Sequence, residues 1–156
     1  MTGTDTVRIR PARRDEAAAL TDLALRSKAH WGYDEAFMAA CREELTITAE
    51  RTERSAVAER ADGALVGFTT VDGAPPQAVL GMMFVAPEAM GAGVGRLLFA
   101  HAADTARASG CTRLVFDADP HAVGFYEAMG AVRIGETPSG SIPGRVLPLM
   151  EVRLPR

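Results

Sequence analysis

Apolar residues in this chain change their spacing several times, and each change marks an element. Val7 to Arg10 alternates apolar and polar positions as a short strand does, and Pro11 ends it. From Asp15 and Glu16 the period lengthens, so that Leu20, Leu23, Ala24 and Ser27 share one face of a helix running to about Lys28. After the kink His30-Trp31-Gly32-Tyr33, Asp34 caps a second helix on which Phe37, Met38, Cys41 and Leu45 recur at helical spacing. Two strands follow, Ser55 to Glu59 and Ala64 to Val71, joined into a hairpin by Ala61-Asp62-Gly63. Asp72-Gly73-Ala74-Pro75-Pro76 then turns the chain into a fourth strand, from about Gln77 to Val85. Short connections imply antiparallel pairing among these strands.

The stretch from Val79 to Ala108 organises the rest. It begins as a continuous apolar run, passes Gly91, Gly93 and Gly95, and takes up helical spacing at Val94, Leu97, Leu98, His101 and Thr105. That pattern predicts strand, glycine loop and helix, with the helix running from about Gly93 to Ser109 and stopping at Gly110. Thr112 to Asp117 supplies a fifth strand, parallel to the fourth through a right-handed crossover. A helix from about Pro120 to Met129 follows, ended by Gly130, and Ala131 to Glu136 and Val146 to Arg153 are the last strands, around the loop 137–145. The predicted fold is α/β with one mixed sheet: strand, helix, helix, three strands, helix, strand, helix and two strands, in a single domain over residues 1–156.

Composition narrows the partners. A chain of 156 residues can bury about two thirds of its unfolded surface in one domain. A net charge of −3 gives no broad basic field, so neither nucleic acid nor an anionic membrane is an expected partner. No apolar run approaches membrane-spanning length and the N-terminal segment lacks a signal-peptide core, so a cytoplasmic location is expected. Cys41 and Cys111 have neither CxxC spacing nor a His cluster; they read as buried thiols, and no metal site is expected. Lys28 is the only lysine among 17 basic residues, which reads as compositional bias.

The glycine loop is the candidate chemistry. Its glycines permit positive φ and close approach, and the free amides of the first helical turn favour an anion, most plausibly a phosphate. A P-loop is disfavoured, because Arg96 rather than lysine follows Gly95. The dinucleotide fingerprint GxGxxG fails in both registers, at Arg96 and at Leu98, although Asp117 stands near where a ribose-binding acid would sit. A dinucleotide-binding enzyme therefore stays open as a distant alternative.

The third candidate is a resemblance. Val85-Ala86-Pro87-Glu88-Ala89-Met90-Gly91-Ala92-Gly93-Val94-Gly95-Arg96-Leu97-Leu98 resembles the acetyl-CoA loop of the GCN5-related N-acetyltransferases, (Arg/Gln)-x-x-Gly-x-(Gly/Ala) after a strand ending in Val-x-Pro. Asp119-Pro120-His121-Ala122-Val123-Gly124-Phe125-Tyr126-Glu127-Ala128-Met129-Gly130-Ala131 resembles that family's second motif, Asn-x-x-Ala-x-x-Phe-Tyr-x-x-x-Gly-Phe. The two occur in the family's order and spacing. Met90 stands where Arg or Gln is usual, Asp119 where Asn is usual and Ala131 where Phe is usual.

The resemblance implies a function and a set of residues. The function is transfer of an acetyl group from acetyl-CoA, as co-substrate, to a primary amine of a small molecule or peptide; a non-catalytic acyl-CoA-binding module is the alternative. Phe84 and Val85 would contact the pantetheine arm and thioester, and Gly91, Ala92, Gly93, Val94, Gly95 and Arg96 would offer amides to the pyrophosphate. Asp119 would accept a hydrogen bond from the arm, and Tyr126 would assist departure of the thiolate or else pack beside Phe125. A base for the amine is not fixed by spacing; among His30, Glu35, Glu88 and His121, His30 ranks first because it adjoins the kink where family members commonly bind acceptors. Trp31, Tyr33 and Arg145 are the expected acceptor contacts, and His101 is expected to pack. Many family members dimerise, so a homodimer is open.

Overall fold

The computed structural model describes residues 6–155. Seven strands form one sheet: β1 (Val7–Pro11), β2 (Ser55–Arg60), β3 (Leu65–Ala74), β4 (Gln77–Val85), β5 (Arg113–Asp117), β6 (Val132–Pro138) and β7 (Val146–Arg153). Their spatial order is β1-β2-β3-β4-β5-β7-β6. Four α-helices, α1 (Ala17–Ala29), α2 (Glu35–Cys41), α3 (Val94–Ala108) and α4 (Val123–Ala128), complete the element order expected from the sequence. All sheet neighbours are antiparallel except β4 and β5, the pair joined by the α3 crossover.

α1 buries the face its spacing predicts, Leu20, Leu23, Ala24 and Ser27. α2 starts at the Asp34 cap, whose carboxylate accepts from the Phe37 amide at 2.8 Å, but stops at Cys41. Thr46 Oγ1 donates to the Arg42 carbonyl at 2.7 Å just past the helix, and Leu45 reaches the core from that turn. α3 is rotated from expectation: Val94, Leu98, Phe99, Ala102 and Ala106 are buried, whereas Leu97 and Thr105 face outward. Its small Ala102 and Ala106 admit close packing on the sheet. Gly67 does the same from β3, since a Cβ there would come within 2.8 Å of Leu98 Cδ1.

One irregularity shapes the centre of the sheet. Thr70 pairs with Met82 but Val71 pairs with Leu80, so Gly81 is an extra residue in β4, a bulge. β4 and β5 pair only from Gln77↔Arg113 to Val79↔Val115. Beyond that, residues 80–85 of β4 have no strand partner on the β5 side among the described residues. The buried residues form two clusters, one around Leu20, Val57, Phe68 and Leu98 and one around Phe99, Leu114, Phe116 and Met150, with Met83 of β4 packed against both. Among the described residues no helix is long and apolar enough to cross a membrane.

Candidate active site

The chain leaves β4 through a single 3-10 turn, Pro87–Ala89, and enters α3 over two glycines in left-handed conformation, Gly91 at φ 83 and Gly93 at φ 88. Gly93 is the N-cap of α3 and has no side chain to satisfy the amides it precedes. Among the described residues the amides of Gly91, Gly93, Val94, Gly95 and Arg96 have no backbone acceptor. The Ala92 amide is taken by the Ala89 carbonyl at 3.3 Å, and Val94 turns its side chain into the core. Gly95 serves packing: a Cβ there would meet Phe125 Cζ of α4 at 3.2 Å.

These amides border a cavity of about 700 Å³. Along one side run residues of β4, including Met83, Phe84 and Val85, followed by Met90, the loop glycines and Arg96. Phe116 and Asp117 at the end of β5, and Phe125 and Tyr126 on α4, line it as well. Ser27, Lys28 and Trp31 at the end of α1, Glu44 and Leu45 beyond α2, and His121 also line it. Tyr126 is buried against Phe116, with ring centroids 4.5 Å apart, and its hydroxyl has no hydrogen-bond partner among the described residues. Burial, and then the Asp119 charge, push that phenol well above its ordinary range.

Asp119, another lining residue, ties α1 to the turn before α4. Its carboxylate accepts from Lys28 Nζ at 2.8 Å, from the Tyr33 hydroxyl at 2.9 and 3.1 Å, and from the His121 amide at 2.9 Å. His121 Nδ1 lies 2.9 Å from the same carboxylate and Arg145 Nη2 3.8 Å. Burial alone would raise this acid, but the Lys28 ammonium and the His121 amide outweigh it and hold it at about 2. Both oxygens are thus engaged by the chain itself.

This geometry redraws several expected roles. Trp31 lines the cavity, but Tyr33 and Arg145 do not; the Arg145 guanidinium donates to the Tyr33 hydroxyl at 3.0 Å, and both converge on Asp119. His30 is exposed and outside the cavity, its ring meeting Trp31 edge-on at 5.6 Å between centroids. Of the charged residues that line the cavity, Lys28 and Glu44 had no role in the sequence reading, whereas His121 was one of its four candidate bases and Asp117 its possible ribose-binding acid. Burial and the charge of Glu44 raise Asp117, and Glu44 accepts from the Ser141 hydroxyl. Among the described residues neither acid has a cationic partner, and no three His, Cys, Asp or Glu side chains are grouped as metal ligands.

The profile of the acetyltransferase (GNAT) family matches residues 17–131. The chain belongs to the GNAT acetyltransferases. GNAT structures share its fold: a PaiA N-acetyltransferase from Thermoplasma acidophilum, in complex with coenzyme A, is 19% identical, with a TM-score of 0.77 over 95% of this chain and 99% of that one. A GCN5-related N-acetyltransferase from Rhodopseudomonas palustris is 23% identical, with a TM-score of 0.78 over 99% of both chains. A nourseothricin acetyltransferase is 29% identical, with a TM-score of 0.60 over 65% of each chain. No curated protein matches this GNAT chain in sequence.

Proposed function

We propose that the whole chain, as one domain, is an acetyl-CoA-dependent N-acetyltransferase acting on a primary amine of a small molecule or peptide. The observation that carries this reading is the continuity of donors: the unpaired side of β4 runs directly into the free amides of the glycine loop and the first turn of α3. An extended amide-bearing arm pairs with the first as an added strand would, and a pyrophosphate suits the second. The residues present fit the group: Gly91 and Gly93 place no Cβ over the amides, and Arg96 adds a cation at the rim. Acetyl-CoA supplies the thioester carbonyl that the acceptor attacks.

The chain's own residues do the rest. An amide near Phe84 polarises the carbonyl as its oxygen gains charge. Tyr126, kept protonated by burial, donates a hydrogen bond to the departing sulfur. The acceptor nitrogen approaches from the side of Lys28, Trp31 and Glu44. Glu44 and Asp117 favour a positively charged acceptor, which gives up one proton to become the neutral amine before it attacks.

The test is a melting temperature with and without acetyl-CoA, using NAD as control, followed by an amine screen for CoA release. At about 100 times the dissociation constant, binding adds roughly 2.7 kcal/mol and raises the melting point by several degrees. Stabilisation by NAD instead would overturn the reading. Binding without turnover across the screen would make the protein an acyl-CoA-binding module.

A further inference from the structure

We propose that His121 is the general base of this reaction and that Asp119 positions it, an inference that rests on the acetyltransferase reading above. Of the chain's three histidines, His30 lies outside the cavity and His101 belongs to α3 and does not line it. His121 lines it together with Tyr126.

The surroundings of the ring define its tautomer. Asp119 is ionised and has only acceptors to offer, so the His121 Nδ1 at 2.9 Å carries the hydrogen between them. In the neutral ring Nε2 then holds the lone pair. The Tyr33 hydroxyl, 3.2 Å from Nδ1, is closer to the Asp119 oxygens and donates there. Trp31 lies parallel to the imidazole, at 5.0 Å and 4° between planes, so it walls one face and favours the ring when it becomes cationic. Tyr33 meets it edge-on at 5.5 Å.

Two cations also converge here, Lys28 from α1 and Arg145 from the segment before β7. Both are turned onto Asp119 and lie over the rings of Tyr33 and Phe37. Lys28, Tyr33 and Arg145 therefore fix the carboxylate, and the carboxylate fixes the ring, as the acid does in a His–Asp pair.

In the reaction, Nε2 takes the proton that the acceptor nitrogen loses as its bond to the acetyl carbon forms and the carbon–sulfur bond breaks. The sulfur leaves as a thiolate that accepts a hydrogen bond from the Tyr126 hydroxyl, and the imidazolium proton then passes to it through solvent. The products are the amide and the free thiol, with no net proton change from a neutral amine.

The experiment compares the wild type, His121→Gln and Asp119→Asn. The cap bond to Asp119 comes from the His121 backbone, so His121→Gln leaves it in place. Expected results are acetyl-CoA binding like the wild type's, kcat/KM at neutral pH lowered about 100-fold, and loss of the acid limb of the pH profile. Asp119→Asn keeps an acceptor for the cap but removes the anion, so the acid limb moves to lower pH; a purely structural Asp119 would change the rate without moving it. Independently of turnover, nitrogen NMR of the wild type should show His121 protonated at Nδ1. Protonation at Nε2, or a wild-type acid limb in His121→Gln, would overturn the assignment. A wild type that binds no acetyl-CoA would instead remove the acetyltransferase reading, and the base with it.

Discussion

At Tyr126, burial and the Asp119 charge both favour the protonated phenol, so the hydroxyl remains a donor throughout the neutral pH range. Tyr126→Phe keeps the packing against Phe116 and removes only that donor; kcat should fall about 100-fold with acetyl-CoA affinity retained, as steady-state kinetics and calorimetry would show. Asp119 is the opposite case, a partly buried acid held ionised by its partners at about 2, below the ordinary carboxylate range near 4. A depressed folded-state value contributes stability above the ordinary pKa and loses it as pH falls through the folded one. Asp119→Asn should therefore cost about 2 kcal/mol at pH 7, and the difference in urea unfolding should shrink between about pH 4 and pH 2. The loop glycines and Tyr126 were legible in sequence because each belongs to a short local pattern. Lys28 was not: a lone lysine says nothing about a partner 91 positions away, and only the fold brings the two together.

Among the elements, β4 and β7 have the bounds their apolar patterns predict, because each strand is stopped sharply by its neighbours in sequence. The face of α3 was misjudged because alanines carry little weight in a pattern of large apolar residues, yet Ala102 and Ala106 are the positions packed against the sheet. The separation of β4 from β5 had no sequence signal either, since the bulge depends on what lies across the strand. At Gly81 an added Cβ would run into the Asp72 carboxylate and the Arg51 guanidinium, which are themselves paired at 3.0 Å. The start of α3 yields a sharper test. Gly93→Ala places a side chain at φ 88, a left-handed conformation that costs roughly 1–2 kcal/mol. The variant should fold, melt a few degrees lower and bind acetyl-CoA about tenfold more weakly, measured by calorimetry.

Over the whole molecule, the outer strands are treated differently. β1 is fastened to β2 by a charge network in which Arg10 reaches both Glu16, at 2.7 Å, and Glu59, at 3.0 Å. Hydrogen bonds from Arg10 hold both acids below their ordinary range, Glu59 at about 2. Stability should therefore be level above about pH 5 and fall as pH drops through these values, and Glu16→Gln should cost about 2 kcal/mol at neutral pH by leaving Arg10 without its closest partner. At the other edge, β6 exposes Val132 and Ile134 but carries a register shift between Arg133 and Gly135 and ends at Pro138, features that discourage pairing with another chain. Among the described residues, a further stretch of strand without a partner lies not at an edge but in the middle of the sheet, on β4 facing β5. A polypeptide strand needs nearly 5 Å to either neighbour and room for side chains on both faces, and the opening beside β4 is lined by Phe116, Phe125 and Tyr126. A slender, unbranched amide chain needs far less. On the acetyltransferase reading, backbone that would otherwise behave as an open edge is reserved for the co-substrate's arm, inside the sheet rather than at its rim.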